Sequence, residues 1–534
     1  MAQRTLYVGG HVYSAADPFA TAMLVIGDEV AWIGDDAGAQ VHRDDVDAIV
    51  QLRGTLVTPA FVDAHVHATS TGLLLNGLDL SGCSSLAEAL DRIRRHTPAD
   101  GVLIGHGWDD TGWPEGRPLT TTDIDAIVGD RSCYLSRIDV HSAVVSTATR
   151  REHPDLVSLP GYDPVAPLTA AAHHRVRGST LGSITATQRE AAQRASLHRA
   201  VSLGIASIHE MAGPSISGED DLVALLALAS EPGMPSVVGY WGELDGHDRA
   251  LALGARGAGG DLFVDGSLGS HTACLRAPYA DDPANAGRAY LDAEAVARHV
   301  TESTRLGRQA GFHVIGDRAH DIVVAGFRAA VAAVGPAAVV AARHRIEHVE
   351  MPDASHLAEM AMLGIVASAQ SAFDAAWGGE QGMYRERLGV ERARAMNPFA
   401  AFLSSGVILA LGSDAPVTPL DPWGSVRAAA LHRTPEHRIS VRAAFAAHTR
   451  GGRRAAREEH LEPGVLAPGT PATFAIWEPT DLVVQAPDER IAAWSTDPRS
   501  GTPGLPDLAG GRAAPACWRT VIRGEIAYDV GALA

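Results

Sequence analysis

The sequence predicts an α/β fold in which a large parallel sheet or barrel carries a smaller β unit built from both ends of the chain. Three observations lead to this prediction. Helical patterns rich in Ala, Leu and Arg alternate with short apolar strands through the middle of the chain, as in parallel sheets. Short strand patterns recur at both ends. The 534 residues exceed what one hydrophobic core usually organises, so one barrel and a satellite unit fit the length.

The two ends of the chain share a pattern of short, strand-like runs. Short runs of mainly apolar residues at 5–8, 22–26 and 30–33 predict strands, and Gly-Asp turns follow the second and third of them. Similar runs return at 472–477 and 520–524. We therefore expect both ends to join in one small β unit.

The middle of the chain alternates helices with strands that end in polar residues. A helical pattern over 187–203 precedes the strand pattern 206–209, and a second one over 321–335 precedes the strand that carries His348. In such folds the functional groups collect at the carboxyl ends of the strands. We therefore look for a site among the residues that follow each strand.

Composition excludes several classes of partner and cofactor chemistry. The net charge of −19 repels phosphate backbones and anionic membranes, so neither nucleic acid nor a membrane is expected as a partner. No apolar run approaches the roughly 20 residues of a membrane span, and the first residues do not read as a signal peptide, so we expect a cytoplasmic protein. The four dispersed cysteines predict neither a disulfide framework nor a zinc knuckle. The sequence contains no lysine at all.

The most informative stretch runs from Asp63 to His67 and follows directly on the apolar run 55–62. Histidines at i and i+2 lie on one face of a strand, so His65 and His67 can bind one metal ion from the strand's end. Among 24 histidines, a lone His-x-His is also explained by hydrogen-bonded core imidazoles. The pair therefore predicts a metal hydrolase only if further ligands follow downstream.

Three later strand ends carry such groups. His313 and His348 each end a short apolar segment, and Asp414 follows the buried strand pattern 407–412. Taken singly, each has an ordinary structural explanation, since an Asp after Gly-Ser is frequent in turns and helix caps. Together, four imidazoles and one carboxylate are the ligand set that zinc prefers.

The ordered set resembles the amidohydrolase superfamily, and the surrounding residues are closer still to amidohydrolase family 3, the branch that includes N-substituted formamide deformylases. The resemblance spans nearly the whole chain. Besides the segments of His313 and His348, the matching stretches are Thr58 to His67, Gly107-Trp108-Asp109 with Trp113, Arg137-Ile138-Asp139-Val140-His141, Asp265 to Ser270, and Gly412-Ser413-Asp414-Ala415-Pro416.

The resemblance implies a distorted (β/α)8 TIM barrel over residues 59–460. It also implies a small β-sandwich shared by residues 1–58 and 461–534. By position, the metal ligands are the first-strand pair, the fifth- and sixth-strand histidines and the eighth-strand aspartate: His65, His67, His313, His348 and Asp414. The counterpart of Asp414 in the family binds metal and takes the proton of the attacking water.

The chain departs from the family at the fourth strand. Many members place a carboxylated lysine there to bridge two metals, and a chain without lysine cannot do so. Alignment on Asp265 puts Asp261 at that position, but its side chain is several bonds shorter, so a regular strand would leave it short of the metal. Asp265 lies on the same face of the strand, four residues nearer the carboxyl end. Because it also belongs to the pattern in lysine-bearing members, we expect it to contact substrate or support a ligand. One zinc ion is favoured, and two ions or another divalent metal stay open.

The resemblance further implies hydrolysis of a non-peptide carbon–nitrogen bond in a small molecule. In this reading a metal-activated water attacks, Asp414 is the general base, and His348 either ligates the metal or binds the nucleophile. Nucleobase deaminases of the superfamily carry a glutamate where this chain has Gly316, which disfavours deamination. Asp317 stands one position further on, so a proton-donor role for it stays open.

Substrate contacts are expected in the insertion after the first barrel strand. Trp108, Arg137 and His141 could line the pocket, or the tryptophan could simply pack the insertion. A non-catalytic scaffold is the alternative from another class, and a deaminase or esterase of the same superfamily is the alternative within it. The retained His-x-His and the final aspartate favour an enzyme. A homo-oligomer is left open.

Overall fold

The computed structural model describes residues 2–97, 102–485, 494–495, 502–509 and 512–533. In chain order its strands are β1 Arg4–Val8, β2 His11–Val12, β3 Ala22–Ile26, β4 Glu29–Gly34, β5 Ala48–Gln51, β6 Leu56–Pro59, β7 Phe61–Val66, β8 Leu78–Asp79, β9 Leu103–Trp108, β10 Cys133–Arg137, β11 Ser142–Val145, β12 Leu168–Thr169, β13 Ile205–Ala212, β14 Ser236–Trp241, β15 Gly257–Ala258, β16 Gln309–Val314, β17 Arg345–His348, β18 Val366–Ala369, β19 Ile408–Leu411, β20 Phe474–Trp477, β21 Leu482–Gln485, β22 Trp494–Ser495, β23 Leu505–Pro506, β24 Cys517–Ile522 and β25 Glu525–Asp529.

The α-helices are α1 Ala68–Asn76, α2 Leu86–His96, α3 Thr121–Val128, α4 Thr147–Glu152, α5 Ala170–Gly182, α6 Ala186–Ser202, α7 Glu219–Leu228, α8 His247–Ala252, α9 Ala293–Arg305, α10 Asp317–Val334, α11 Pro336–Ala342, α12 Ala354–Met362, α13 Ser371–Trp377, α14 Met383–Leu388, α15 Val390–Arg394, α16 Phe399–Ser404, α17 Pro422–Ala430, α18 Val441–Ala446 and α19 Gly452–Ala455. The helical patterns over 187–203 and 321–335 correspond to α6 and α10.

The central sheet has eight parallel strands in the order β7-β13-β14-β15-β16-β17-β18-β19. Its two edges meet just beyond the strand ends, where Val66 and Ala415 form a parallel bridge. The backbone N–H of Asp414 donates to the carbonyl of His65 at 2.8 Å, and the N–H of His67 donates to the carbonyl of Ala415 at 2.9 Å. The sheet is therefore a nearly closed barrel, which confirms the predicted (β/α)8 fold.

The strands at the two chain ends interleave in the same sheet. Its order is β2-β6-β20-β24-β25, and a second sheet, β4-β3-β1-β5, packs against it. Apolar residues of both sheets fill the layer between them, including Tyr7 and Phe474, whose rings meet edge to face at 5.4 Å. The division into a β-sandwich (1–58 with 461–534) and a barrel (59–460) stays a prediction, and part of the last range lies outside the described residues.

A third sheet is inserted between the first and second barrel strands. Its order is β12-β11-β10-β9-β8, and α2 and α3 cover it. Side-chain caps begin both helices, from Ser85 on α2 and from a reciprocal pair, Thr120 and Asp123, on α3. The insertion therefore has its own small core beside the mouth of the barrel.

Among the helices that the structure describes, none is by itself long and apolar enough to cross a membrane. The bent pair α10 and α11 passes that test of length and composition when its two helices are taken together.

Candidate metal centre

The five residues predicted as metal ligands lie together at the carboxyl end of the barrel. His65 and His67 come from the end of β7, and Asp414 from the residues after β19. His313 lies near the end of β16, and His348 ends β17. All five side chains are buried.

Asp414 faces the first-strand histidines. Its Oδ1 lies 3.4 Å from Nε2 of His65 and 3.2 Å from Nε2 of His67. Its Oδ2 lies 4.0 Å from Nδ1 of His348. The aspartate is thus within reach of three of the four histidines.

The carboxylate of Asp261 occupies the middle of the cluster. Its Oδ2 lies 3.5 Å from Nε2 of His65 and 3.2 Å from Nε2 of His67. Its Oδ1 lies 3.5 Å from Nδ1 of His313 and 3.4 Å from Nε2 of His348. The expectation that this side chain falls short of the metal is therefore wrong.

The backbone explains why the short side chain reaches the cluster. The strand β15 ends at Ala258, and Gly259 and Gly260 then take positive φ values of 148° and 81°. A Cβ on Gly259 would lie 2.0 Å from the backbone nitrogen of Gly311 on β16, so the two backbones touch. The extended register assumed from the sequence stops at this bend, and the residues beyond it, Asp261 among them, lie on a different path.

Each histidine is fixed by a hydrogen bond from the ring nitrogen opposite the one that faces Asp261. A neutral imidazole that donates from one nitrogen presents a lone pair on the other, so these bonds select the tautomer that can bind a metal. The four donor–acceptor pairs are Nδ1 of His65 to Glu347 Oε2 (3.0 Å), Nδ1 of His67 to the Met211 carbonyl (3.0 Å), Nε2 of His313 to the Gly266 carbonyl (3.2 Å) and Nδ1 of His348 to Gln370 Oε1 (2.9 Å).

The atoms that face the centre fit a divalent cation. Within the described residues five of them are buried and have no hydrogen-bond partner: His65 Nε2, His313 Nδ1, His348 Nε2, Asp261 Oδ1 and Asp414 Oδ1. Buried polar atoms are nearly always paired, so such a group of unpaired ones is exceptional. Imidazole nitrogens with carboxylate oxygens are the donors that Zn²⁺ takes.

The electrostatics of the cluster also favour a cation. Burial acts to lower the pKa of His67, but Asp261 and Asp414 outweigh it and raise that pKa to about 9. Burial acts to raise the pKa of Asp261, yet the facing histidines hold it well below its usual value. The two carboxylates are thus kept ionised beside the imidazole nitrogens.

Backbone strain marks the same place. Asp414 has a φ of 54° and His348 a φ of 70°, in the left-handed region that side chains other than glycine rarely adopt. Strain of this kind clusters at functional sites, where the surrounding structure maintains it. Here the hydrogen bond from Asp414 to the carbonyl of His65 holds one of the two residues in place.

The other acidic residues singled out from the sequence lie around the centre rather than in it. Asp265 is fully buried and accepts three backbone hydrogen bonds, from Cys274, Ile315 and Gly316, at 2.8–3.0 Å. Burial raises its pKa to about 7. Asp317 starts α10 and accepts the backbone N–H of Arg276 at 2.8 Å. The structure thus places Asp261, and not Asp265, at the position of the missing lysine.

Two of the proposed substrate residues are engaged inside the insertion. The indole N–H of Trp108 donates to the Leu135 carbonyl at 2.8 Å, and the side chain packs in the core of the insertion. Arg137 is buried among the carboxylates of Asp109, Asp110 and Asp139, at 2.6, 3.1 and 3.2 Å. Both residues therefore support the wall of the mouth, and a direct contact with substrate stays a prediction.

His141 lies much closer to the centre. Its ring centroid is 4.9 Å from that of His313 and 5.5 Å from that of Phe263. Burial and the neighbouring histidines hold its pKa well below the usual value, so it is neutral. It remains the best placed of the predicted substrate residues.

Sequence reasoning did not identify Glu347 and Gln370, which orient His65 and His348. Glu347 also forms a buried ion pair with Arg345 at 2.8 Å. A signal for Glu347 was present, since it stands directly before His348 in the strand that carries this predicted ligand. Gln370 follows β18 and carried no comparable signal, because only the fold brings it beside His348.

Comparisons with known proteins find a family model and relatives that match most of the chain. The family model described as Amidohydrolase family matches residues 48–528. The protein LONG AFTER FAR-RED 3 of Arabidopsis thaliana is 28% identical over 502 residues, which cover 86% of this chain and 84% of the relative. An N-substituted formamide deformylase of Arthrobacter pascens is 22% identical over 449 residues, covering 76% and 79%.

A solved structure extends the agreement to the fold. The crystal structure of an uncharacterized metal-dependent hydrolase from Pyrococcus furiosus superimposes with a TM-score of 0.68 at 26% identity. The superposition covers 89% of this chain and 98% of that one.

Proposed function

Because the chain belongs to the Amidohydrolase family, we propose that this metal-dependent hydrolase cleaves a non-peptide carbon–nitrogen bond, of an amide, a formamide or a related group, in a small-molecule substrate. One observation carries the proposal: four imidazoles and two carboxylates converge at the carboxyl end of the barrel, and five of their facing atoms are buried and unpaired among the described residues. Active sites of such barrels lie at this end.

The centre has ligands for two divalent ions, and zinc is our choice from the donor set. His65 and His67 with Asp414 would hold one ion, and His313 with His348 would hold the other. The two oxygens of Asp261 face one histidine pair each, so this residue would serve both ions. An ion bound here supplies Lewis acidity, which lowers the pKa of a bound water toward neutrality.

Asp414 is the proposed general base. Its Oδ1 is buried and unpaired within the described part of the chain, and the facing histidines outweigh burial and hold its pKa below the usual value. An ionised carboxylate at this position can accept a proton from the attacking water and return it to the leaving nitrogen. His348, held by Gln370, presents its other nitrogen toward Asp261 and the same space.

The test is a panel of amide, formamide and ester substrates, assayed with stripped protein to which zinc, manganese or iron is added. We expect hydrolysis of amides or formamides that a chelator abolishes. Asp414→Asn should reduce turnover at least 1,000-fold while much of the metal stays bound, on the scale of removing a general base (~10²–10⁴). Asp130→Asn, at an exposed aspartate, is the control and should change neither.

Four outcomes would contradict the proposal. A well-folded protein without metal or activity would indicate a non-catalytic scaffold. Hydrolysis of esters alone would indicate an esterase, and ammonia released from nucleobases would indicate a deaminase. Normal turnover in Asp414→Asn would remove the aspartate from its proposed role. The cytoplasmic location and the oligomeric state stay predictions.

A further inference from the structure

A buried arginine lies near the metal centre without an anionic partner. Arg177, on α5, is only 4% exposed. Within the described residues its guanidinium has neither a hydrogen bond nor an ion pair. The other buried arginines of that part of the chain, Arg137, Arg345, Arg387, Arg453 and Arg519, each pair with a carboxylate. Arg177 is therefore an exception to the way this protein buries positive charge.

Arg177 lines a recess between the insertion and the barrel that has a cavity volume of about 40 Å³. Much of the wall is apolar, from Leu73, Leu78, Ile104 and Leu181. Two of its other polar groups are already bonded. The hydroxyl of Tyr134 bonds Nε2 of His173 at 2.9 Å, and Nε2 of His106 bonds the carbonyl of Pro416 at 3.2 Å. Among the residues that the structure describes, the recess thus offers apolar walls and one cation without an anionic partner.

The recess adjoins the metal centre along the chain at three points. Pro416, in its wall, lies two residues after Asp414, and Ser70 lies in the first turn after His67. Val140, also in the wall, precedes His141, whose ring meets that of His313. A small molecule with one end at the metal centre could therefore place its other end in this recess.

The charge in the recess matches a monoanion. Burial lowers the pKa of both His106 and His174 to about 4, so these neighbours of Arg177 are neutral near pH 7. One guanidinium without a second cation balances a carboxylate, whereas a phosphate dianion would leave an uncompensated charge. The planar fork of arginine also suits two hydrogen bonds to a carboxylate.

A buried cation without a partner destabilises a fold, so its retention calls for a ligand that pairs with it. We propose that Arg177 determines specificity by binding a carboxylate of the substrate, whose apolar portion lies along the leucine-lined wall. The substrate is then an amide or formamide that carries an acid group. This inference rests on the proposed hydrolase function for its biological meaning, but the anion site can be tested without turnover.

The direct test is calorimetric titration of the full-length protein with benzoate and with its neutral analogue benzamide. Benzoate should bind wild type and should bind Arg177→Met at least tenfold more weakly, with Arg177→Lys in between. Arg175→Met is the matched control, since Arg175 lies on the same helix and pairs with Asp155 at the surface. Benzamide binding should be the same in all four proteins. Because a carboxylate can also bind a metal ion, the difference between wild type and Arg177→Met should persist after the metal is stripped.

Failure of benzoate to bind wild type, or equal binding to wild type and Arg177→Met, would overturn the proposal. An equal loss in Arg175→Met would do the same, because it would indicate general surface electrostatics. The melting temperature of Arg177→Met should not fall below that of Arg175→Met, since Arg177 has no hydrogen bond or ion pair with a described residue to lose and Met keeps much of its apolar packing. A large fall would identify Arg177 as a structural residue and overturn the inference.

A second experiment measures turnover and so relates the anion site to the reaction. For amides that differ only in a carboxylate, Arg177→Met should lower kcat/KM at least tenfold for the acid and leave the neutral substrate unchanged. Equal losses for both substrates would contradict a carboxylate site. If wild type hydrolyses no amide while benzoate binding still depends on Arg177, the proposed function fails and the anion site stands.

Discussion

Asp261 illustrates how one short side chain can take the place of a longer one. A carboxylated lysine reaches a metal from a regular strand, whereas Asp261 reaches the centre because the chain bends at two glycines before it. Its two oxygens then face different histidine pairs, at 3.2 to 3.5 Å. The absence of lysine from the sequence is therefore compatible with two metal positions, whereas the sequence alone favoured a single ion.

We expect Asp261→Asn to change the metal content of the protein. The amide keeps the shape of the carboxylate but not its charge, so it should no longer serve two cations. Zinc bound per chain, measured by elemental analysis after dialysis, should fall from about two to one or fewer. One zinc per chain in both wild type and variant would restore the single-ion interpretation.

Part of this site could be predicted from the sequence, and part could not. Five of the proposed ligands stand at the ends of recognisable strand patterns, so the sequence could predict that they meet: His65, His67, His313, His348 and Asp414. The reach of Asp261 depends on a bend that counting residues along a strand cannot show. Arg177 has no anionic partner because none of the described elements around it contributes a carboxylate within ion-pair distance. A local sequence pattern cannot show this.

Helix packing around the barrel depends on close backbone approaches. Gly72 of α1 faces α6, and a Cβ placed on it would lie 1.8 Å from the carbonyl oxygen of Ala192. A backbone oxygen cannot rotate away as a side chain can. The first-strand ligands lie at the start of α1, so the packing of α1 against α6 affects their positions.

Gly72→Ala should therefore destabilise the protein by more than about 2 kcal/mol, at the upper end of overpacking effects. Gly178→Ala is the control within another helix, since the nearest atom to its Cβ would be 3.8 Å away. That substitution should stabilise by roughly 0.5–1 kcal/mol through helix propensity. Denaturant unfolding of both variants measures the contrast, and similar stabilities would contradict the packing argument.

Three helices also share one buried carboxylate. Asp221 of α7 accepts the hydroxyl of Thr69 on α1 at 2.9 Å and lies 3.5 Å from Arg189 on α6. Burial raises its pKa to about 6, although both partners act to lower it. The ionised form is therefore less favourable in the folded protein than in the unfolded chain.

The consequence is a pH dependence of opposite sign to that of a salt-bridged aspartate. Below the ordinary pKa of Asp, both states are protonated and the penalty is absent; it grows as the pH rises through about 6, to roughly 3 kcal/mol. Asp221→Asn lacks this penalty, so its melting temperature relative to wild type should rise between pH 4 and 7. Asp220→Asn, at an exposed neighbour, should show no such trend. A constant difference for Asp221→Asn across that range would refute the assignment.

Across the whole molecule, the proposed ligands join distant parts of the barrel. They come from both strands at its seam, β7 and β19, and from β15, β16 and β17 on the opposite side, with Asp261 and Asp414 following their strands. An ion bound to all of them would oppose opening of the barrel at any of these points. Binding to the folded state alone stabilises it by about 2.7 kcal/mol at 100 times Kd.

Zinc added to stripped protein should therefore raise the melting temperature by several degrees, and a chelator should reverse the shift. Magnesium at the same concentration is the control, because it prefers oxygen ligands and should bind this histidine-rich centre weakly. Equal shifts with both ions would indicate a general salt effect.

The order of the ligands along the chain determines when each of them is synthesised. The first histidine pair leaves the ribosome well before Asp414, which at 5–20 residues per second corresponds to a delay of some tens of seconds. One partner of the early strand β6 appears still later, because β20 begins only at Phe474. A nascent chain thus presents an incomplete set of metal ligands for most of its translation, and the centre can be assembled only when the last barrel strand and the strands that follow it have been made.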